Sequence, residues 1–248
     1  MYIYDINILY YLGIGIIGLI VGQYIDWCNK RLPEYKKVFS KEFFTVYFKE
    51  AKPKYLLMVI TAAMYVGLLY FFGFSIDTLK YMFLVPMLIS AFVIDYRLQI
   101  IPNRLTLTIF ETGLIFTFAS VLINTNAGIS IFMNNMLGMI VGGGIFLIIT
   151  LIGGLIAGKD AMGFGDVKLM GALGLFFGWM NIIMVAVMAF LLAAVISIII
   201  LVSRRKKADE YIPFGPFIVI SAIIAMFVPS TLLLTALFKI FTLGLYKG

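Results

Sequence analysis

The sequence predicts an all-α, polytopic helical membrane protein with about eight transmembrane helices and a short cytoplasmic segment after the first. Of its 248 residues, 63% are hydrophobic and only 12% are charged, well below the charged share of ordinary soluble domains. Apolar runs of roughly 18 or more residues recur, and each is long enough to cross the hydrocarbon layer as a helix. The alternation of polar and apolar residues that marks a membrane β-barrel is absent from the sequence.

The predicted spans are the successive apolar segments, at residues 8–28, 55–73, 78–95, 105–123, 134–157, 167–179, 181–202 and 212–228. The sixth is short, and residues 178–181 leave only a tight turn before the seventh. A further apolar segment, 230–246, follows Pro229 and is interrupted by Lys239. For this segment a ninth crossing, an interfacial helix and a continuation broken at the proline all stay open.

Basic residues indicate the orientation, because cytoplasmic loops carry an excess of Lys and Arg. Most of the 19 Lys and Arg fall on one side of the predicted helices, in residues 29–54 and in the later linkers at Arg97, Arg104, Lys159, Lys168 and 204–207. We therefore expect a multi-pass protein of the inner (plasma) membrane, with its N-terminus outside and residues 29–54 in the cytoplasm. The net charge of +7 indicates attraction to anionic membrane lipids, and no nucleic-acid-binding motif is present.

The composition restricts the chemistry that this chain can perform. It has one cysteine, Cys28, and no histidine. An intrachain disulfide, His-ligated metal sites and Ser-His or Cys-His nucleophilic pairs are therefore excluded, and we expect no metal. Acid–base chemistry would have to come from Asp, Glu, Lys or Tyr side chains.

Five carboxylates lie within or near the predicted spans: Asp26, Asp95, Glu111, Asp160 and Asp166. A carboxylate at membrane depth costs at least a few kcal/mol if it is ionised in lipid, so a functional or paired role is the first hypothesis for each. Glu111 is expected to be buried against a polar partner such as Thr108 or Thr112, or to be protonated. Asp160 is interpreted as a loop charge.

Asp95 ends the third predicted span and Asp166 opens the sixth, so both should lie at the same membrane face. Two carboxylates at close range cannot both ionise cheaply and tend to share one proton. One can then act as general base on a water while the other donates a proton to a carbonyl oxygen. Other interpretations stay open: Asp166 as a helix N-cap, and Asp95 in a local ion pair with Arg97.

Four ordered stretches resemble the motifs of one family. Residues 163–166, Gly-Phe-Gly-Asp, are similar to the G-x-G-D signature of intramembrane aspartyl proteases in their prepilin-peptidase form. Residues 22–33, 95–103 and 212–217 resemble further motifs of that family, in the same order and with similar spacing. The G-x-G-D signature alone would be weak, whereas four ordered motifs are specific.

The resemblance implies a type IV prepilin peptidase, which removes the short basic leader of prepilins or pseudopilins after a glycine, at the cytoplasmic membrane face. It implies that Asp95 and Asp166 are the catalytic pair. It also implies supporting residues in the active site, namely Gly163, Gly165, Arg97 and Lys168. Substrate or cofactor contacts are implied for Gly22, Arg31, Pro33, Pro213, Gly215 and Pro216.

Many bacterial members of this family also methylate the new N-terminus with S-adenosylmethionine, and Gly22, Arg31 and Pro33 favour this second activity here. Members often bind zinc through two Cys-x-x-Cys pairs in the first cytoplasmic domain, and residues 29–54 contain no cysteine. Gln23 and Asp26 stand where the family usually has Ser and Asn.

The predicted organisation is a first transmembrane helix, a short cytoplasmic segment without zinc cysteines, a transmembrane aspartyl protease core and a C-terminal apolar segment, at residues 1–28, 29–54, 55–228 and 229–248. The expected partners are the prepilin or pseudopilin substrate and membrane lipids, without nucleic acid. Two alternatives stay open: a protease-only, preflagellin-type peptidase, and a small proton- or cation-coupled transporter. The transporter would use Asp95, Glu111 and Asp166, but no inverted repeat with interrupted helices is visible.

Overall fold

The computed structural model describes residues 2–3, 6–38, 40–47, 52–157, 162–203 and 212–241. Within these ranges the chain forms the helices α1 (Ile8–Arg31), α2 (Tyr55–Phe72), α3 (Ile76–Leu98), α4 (Asn103–Ile123), α5 (Gly128–Ala157), α6 (Phe164–Val202), α7 (Gly215–Phe227) and α8 (Ser230–Phe241). A short π-helix, Phe43–Tyr47, lies between α1 and α2. Two short antiparallel strands, β1 (Tyr2–Ile3) and β2 (Ile6–Asn7), precede α1. Asp160 and residues 204–207 lie outside the described residues.

Helices α1 to α6 are each long and apolar enough to cross a membrane, which gives six candidate spans in the described ranges. The bent pair of α7 and α8 would make a seventh if it counts as one span. An unpaired backbone N–H or C=O costs several kcal/mol in hydrocarbon, and a helix pairs nearly all of these groups within its own segment. The predicted class, an all-α polytopic membrane protein, is confirmed.

Helix α6 consists of two antiparallel arms joined at Gly178. This residue has φ 73° and ψ 173°, a conformation that glycine adopts easily and other residues rarely do. Contacts with α5 demonstrate the reversal, because a Cβ at Gly142 would lie 2.6 Å from the Met170 carbonyl oxygen and 2.8 Å from the Ile182 side chain. The arms, residues 164–177 and 179–202, correspond to the sixth and seventh predicted spans. The predicted turn between them is confirmed.

Close backbone contacts at glycines hold neighbouring helices together. A Cβ on Gly22 would lie only 2.5 Å from the Cα of Met58, and Gly18 is equally close to α2. Gly138 of α5 packs in the same way against the carbonyl oxygen of Gly174 in α6. Gly18 with Gly22, and Gly138 with Gly142, thus form Gly-x-x-x-Gly faces at which the helices pack closely.

Several helices begin away from their predicted bounds because side chains or prolines decide where they start. Helix α5 begins at Gly128, before the predicted start at residue 134. The polar Asn135 can lie inside this helix because its Nδ2 donates to Thr117 Oγ1 over 3.1 Å. Helix α7 begins at Gly215, so Pro213 precedes it, whereas Pro216 lies in its first turn, where its missing N–H is not needed.

The C-terminal helix α8 is bent by 117° from α7 at a short break that contains Pro229. Its 12 residues span about 18 Å, which is too short to cross the hydrocarbon layer alone. The break at the proline was one of the three alternatives for this segment. The described residues contain no full-length ninth crossing.

Replacing Gly174 by alanine should disrupt the packing of α6 on α5, because its Cβ would overlap the carbonyl group of Gly138. We expect Gly174→Ala to lower the free energy of unfolding by about 1–3 kcal/mol, seen as a lower midpoint of thermal unfolding in detergent. Gly171→Ala is the matched control on the same arm, since its Cβ would lie 3.6 Å from the Cα of Gly143, an ordinary contact. Equal effects of the two substitutions would contradict this account of the packing.

Candidate active site

Asp95 lies in the last turn of α3 and is buried, with 4% of its surface exposed. Helix α3 ends here because Gln99 adopts the left-handed conformation, with φ 57°, while its N–H donates to the Asp95 carbonyl oxygen over 2.9 Å. The N–H of Gly215, the first residue of α7, donates to Asp95 Oδ2 over 3.0 Å. A Cβ at Gly215 would lie 2.5 Å from that oxygen, so this contact requires glycine. The Asp95 side chain thus joins the end of α3 to the start of α7.

Asp166 lies in the first turn of α6 and is equally buried, at 4% exposed. Gly163 precedes the helix with extended backbone, and its carbonyl oxygen accepts a hydrogen bond from the Asp166 N–H over 3.0 Å. A Cβ at Gly165 would come within 3.0 Å of the Ile101 Cβ. Glycine at position 165 therefore lets the start of α6 approach the connection between α3 and α4.

A cavity of about 340 Å³ joins the two aspartates. Its lining comes from the end of α3, the following connection and the start of α6, and includes Gln99, Ile101, Asn103, Gly163, Gly165 and Lys168. The structure therefore brings together the two carboxylates that topology and motif singled out in the sequence.

Ile101, in the connection between α3 and α4, packs against both the start of α6 and the start of α7. Its Cβ packs against Gly165, and its Cδ1 lies 3.2 Å from the position that a Cβ would take on Gly215. The side chain therefore fills the gap between the start of α6 and the start of α7. Sequence reasoning missed this role, because an isoleucine in an apolar chain carries no chemical signal of a site.

Lys168 and Asn103 are joined at the edge of the cavity. Lys168 Nζ donates to Asn103 Oδ1 over 2.8 Å, and both residues line the cavity. Among the predicted supporting residues, Gly163, Gly165 and Lys168 reach the cavity. Arg97 is exposed and does not line it, so the structure does not bring this residue to the aspartates.

The predicted substrate- or cofactor-binding residues of the first motif lie away from the aspartate cavity. Gly22 is a packing contact with α2. Arg31 pairs with Glu42 and lies over the ring of Trp27, 4.3 Å from its centroid. Pro33 lies in the turn that follows α1. These residues organise the end of α1 and the segment after it.

The predicted residues around position 215 divide between two places. Gly215 contacts Asp95 directly, as described above. Pro213 and Pro216 line a neighbouring cavity between α3, the second arm of α6 and α7. The prolines therefore border the aspartate site without lining it.

A third buried carboxylate, Asp26, faces the segment after α1. The Tyr47 hydroxyl donates to Asp26 Oδ2 over 2.8 Å, and Lys30 Nζ lies 2.8 Å from the same oxygen. Gln23 Nε2 in turn donates to the Tyr47 hydroxyl oxygen over 2.9 Å. Burial, together with the hydrogen bond to Asp26, raises the pKa of Tyr47 above its ordinary value. This cluster fastens the π-helix to α1.

The expected burial of Glu111 against a polar partner is wrong, because this residue is exposed. The nearby Thr108 and Thr112 hydroxyls donate to backbone carbonyl oxygens of their own helix, at distances of 2.8 and 2.7 Å. Within the described ranges, no group of three or more His, Cys, Asp or Glu side chains is placed to hold a metal ion.

Comparison with known proteins shows what the chain resembles. Residues 82–198 match the Type IV leader peptidase family. Three relatives named prepilin leader peptidase/N-methyltransferase are similar to it. The protein from Legionella pneumophila is 33% identical over 63% of this chain and 52% of its own length. Those from Aeromonas hydrophila and Neisseria gonorrhoeae are 29% and 28% identical, over 60% and 67% of this chain and 49% and 54% of their own lengths.

The chain thus spans about half the length of the curated relatives that it matches. No solved structure matches it. The family match covers both aspartates of the cavity, whereas α1 and the segment after it lie before the matched residues.

Tyr47→Phe removes the hydroxyl group that donates to buried Asp26. We expect it to lower the free energy of unfolding by about 1–3 kcal/mol, because a buried carboxylate loses a donor. Tyr55→Phe is the control, since Tyr55 is 72% exposed. The measurement is the midpoint of thermal unfolding in detergent, and equal midpoints for the two variants would contradict the role of the cluster.

The parent protein and Tyr47→Phe also test how the stability depends on pH. Because the pKa of Tyr47 is raised on folding, its contribution to stability is complete below the ordinary tyrosine value of 10.0 and is lost as the pH rises above it. Stability of the parent protein should therefore decline more steeply above about pH 10 than that of Tyr47→Phe. Parallel declines would contradict the raised pKa.

Proposed function

We propose that this chain is a membrane-embedded aspartyl endopeptidase of the type IV leader peptidase family, whose model its residues 82–198 match. Its substrates are type IV prepilins or pseudopilins, from which it removes the leader peptide. The proposal rests on one observation above all: Asp95 and Asp166, from two different helices, are both buried and line the same cavity.

A general base and a general acid at the same bond accelerate peptide hydrolysis, and a pair of aspartates sharing one proton supplies both. The carboxylate takes a proton from water as the water oxygen bonds to the peptide carbonyl carbon. The carboxylic acid gives its proton to the carbonyl oxygen. When the tetrahedral intermediate collapses, the C–N bond breaks, the first carboxyl protonates the amine, and the second recovers a proton from the hydroxyl group. The pair ends with one shared proton, as it began.

The neighbouring residues have supporting roles in this scheme. The Gly215 N–H holds Asp95 in place through its bond to Oδ2. Gly163 leaves the space beside Asp166 open, since a Cβ there would lie 3.6 Å from Asp166 Oδ2, and Gly165 lets Ile101 pack against the start of α6. Lys168 and Asn103 offer hydrogen-bond donors at the edge of the cavity.

We place the cleavage site at the cytoplasmic membrane face, with the N-terminus outside. The basic residues of 29–54 support this orientation. From that side, α2 and α3 cross the membrane out and back, and α4 and α5 do so again. The end of α3 and the start of α6, which carry the two aspartates, then lie on the side of residues 29–54.

We also propose N-methylation of the new N-terminus, as the names of the relatives suggest. When bound, S-adenosylmethionine supplies an electrophilic methyl group for an amine. A cavity of about 530 Å³ between α1 and residues 38–43 fits a ligand of this class in size. Tyr24 and Phe43 form an aromatic wall there, with ring centroids 5.2 Å apart. Ser40 Oγ is buried in the same wall and has no hydrogen-bond partner within the described part of the chain.

Asp95→Asn and Asp166→Asn should each reduce leader cleavage at least about a hundredfold, because an amide neither takes nor gives the proton. The measurement is the rate at which purified protein in liposomes shortens a purified prepilin. Asp77→Asn is the matched control at the other end of α3, where Asp77 is half exposed and pairs with Lys80. Unchanged thermal midpoints would show that the variants fold, and fast cleavage by either active-site variant would overturn the assignment.

Ser40→Ala should lower methylation while leaving cleavage unchanged. Incubation with prepilin and labelled S-adenosylmethionine should transfer label to the mature N-terminus, and Ser40→Ala should reduce it about two- to tenfold through one lost hydrogen bond. Thr45→Ala is the control, since the exposed Thr45 hydroxyl bonds to the Lys41 carbonyl oxygen of its own segment. If the parent protein cleaves the prepilin but transfers no label to its N-terminus, the protein is a protease without methyltransferase activity.

A further inference from the structure

Two apolar cavities adjoin the aspartate cavity on opposite sides. The first, of about 510 Å³, lies between α4, α5 and the first arm of α6, and we call it the α4–α6 crevice. The second, of about 520 Å³, lies between α3, the second arm of α6 and α7. Their volumes are nearly equal, so size does not decide which of them serves the active site.

The α4–α6 crevice is the better connected of the two. Asn103 and Lys168 line both this crevice and the aspartate cavity. They are joined to each other only through exposed, flexible side chains, so their hydrogen bond can open without moving a helix. The second cavity shares only Gln99 with the aspartate cavity, and towards α7 the Asp95 Oδ2 atom is already bonded to the Gly215 N–H.

The chemistry of the α4–α6 crevice changes along its length. Its polar residues, Asn103, Thr106 and Lys168, gather at the end next to the aspartates. Leu107, Phe110 and Met139 make the rest apolar. Along α4, the step from residue 103 to residue 110 covers about 10 Å towards the middle of the membrane.

One wall of the crevice is formed by the contact between α5 and α6. Gly143 of α5 and Gly171 of α6 line it and pack against each other, since a Cβ on Gly171 would lie 3.6 Å from the Gly143 Cα. Leu107 on the opposite side is 54% exposed, so the crevice opens sideways towards lipid. A membrane-embedded segment can therefore enter from the bilayer without unfolding.

We infer that the α4–α6 crevice receives the apolar helical segment of the substrate, directly after the cleaved bond, while Asn103 and Lys168 contact the substrate backbone at the junction. The inference rests on the proposed protease function and names the binding surface of that same site. Away from the aspartates, the site changes from a polar cavity, through the Asn103–Lys168 pair, to an apolar crevice. A substrate that is polar before the cleaved bond and apolar after it matches this order.

Photo-crosslinking tests the location directly. A benzophenone amino acid replaces Leu107 in the Asp166→Asn protein, which holds a purified prepilin uncleaved in liposomes. The same probe replaces Leu122, 78% exposed at the far end of α4, and Ile196, 38% exposed beside the second cavity. We expect cross-links to the apolar segment of the prepilin from position 107 only. Cross-links from position 196 in place of 107 would overturn the inference.

Cleavage kinetics in the otherwise unchanged protein give an independent readout. Leu107→Trp fills the crevice and should lower kcat/KM about tenfold through a raised KM, whereas Leu122→Trp should leave it within about twofold. Equal kcat/KM values for these variants would contradict the inference. If the parent protein cleaves no prepilin, the proposed protease function itself is contradicted. If it cleaves normally but the cross-links come from position 196, only the assignment of the substrate's apolar segment to the α4–α6 crevice is contradicted.

Discussion

The satisfaction of backbone hydrogen bonds in lipid governs where this protein can place chemistry. Within a helix every N–H is taken by the preceding turn, so free backbone donors exist only where helices begin. The candidate site is built at such places. The Gly215 N–H at the start of α7 binds Asp95 at the end of α3, and Asp166 occupies the first turn of α6. A bundle of spanning helices thus concentrates its polar function at helix ends that share one face.

Close approach of these ends depends on missing side chains as much as on present ones. Gly165 and Gly215 leave room for the side chain of Ile101. This side chain then separates the α3–α4 connection from the start of α6 and the start of α7. The segment after α1 is held differently, by the Trp27 indole, which donates to the Val38 carbonyl oxygen over 2.8 Å, and by Arg104, which donates to the Tyr35 carbonyl oxygen over 2.6 Å. Because Arg104 follows Asn103 in α4, that segment is attached next to the aspartate cavity.

The sequence predicts the meeting of Asp95 and Asp166 because two simple signals agree. Helix alternation predicts that both residues lie at one membrane face, and the ordered motifs single out the residues. It does not predict the Lys168–Asn103 pair or the place of Arg97, since the direction of a long side chain at a helix end depends on neighbours that are distant in sequence. The error over Glu111 has the same origin: periodicity locates a residue in a span, but which face of that span is covered depends on tertiary packing.

The hairpin at Gly178 limits the distance along α6 between Asp166 and the turn of this helix. From Asp166 to Gly178 the first arm of α6 rises about 18 Å, roughly two thirds of the hydrocarbon thickness. A turn at the far surface would leave Asp166 submerged by about two helical turns. The length of this arm would then determine how deep Asp166 lies in the membrane. For the proposed protease, the bond to be cleaved would therefore have to reach Asp166 below the membrane surface, in a substrate whose own helix is already in the bilayer.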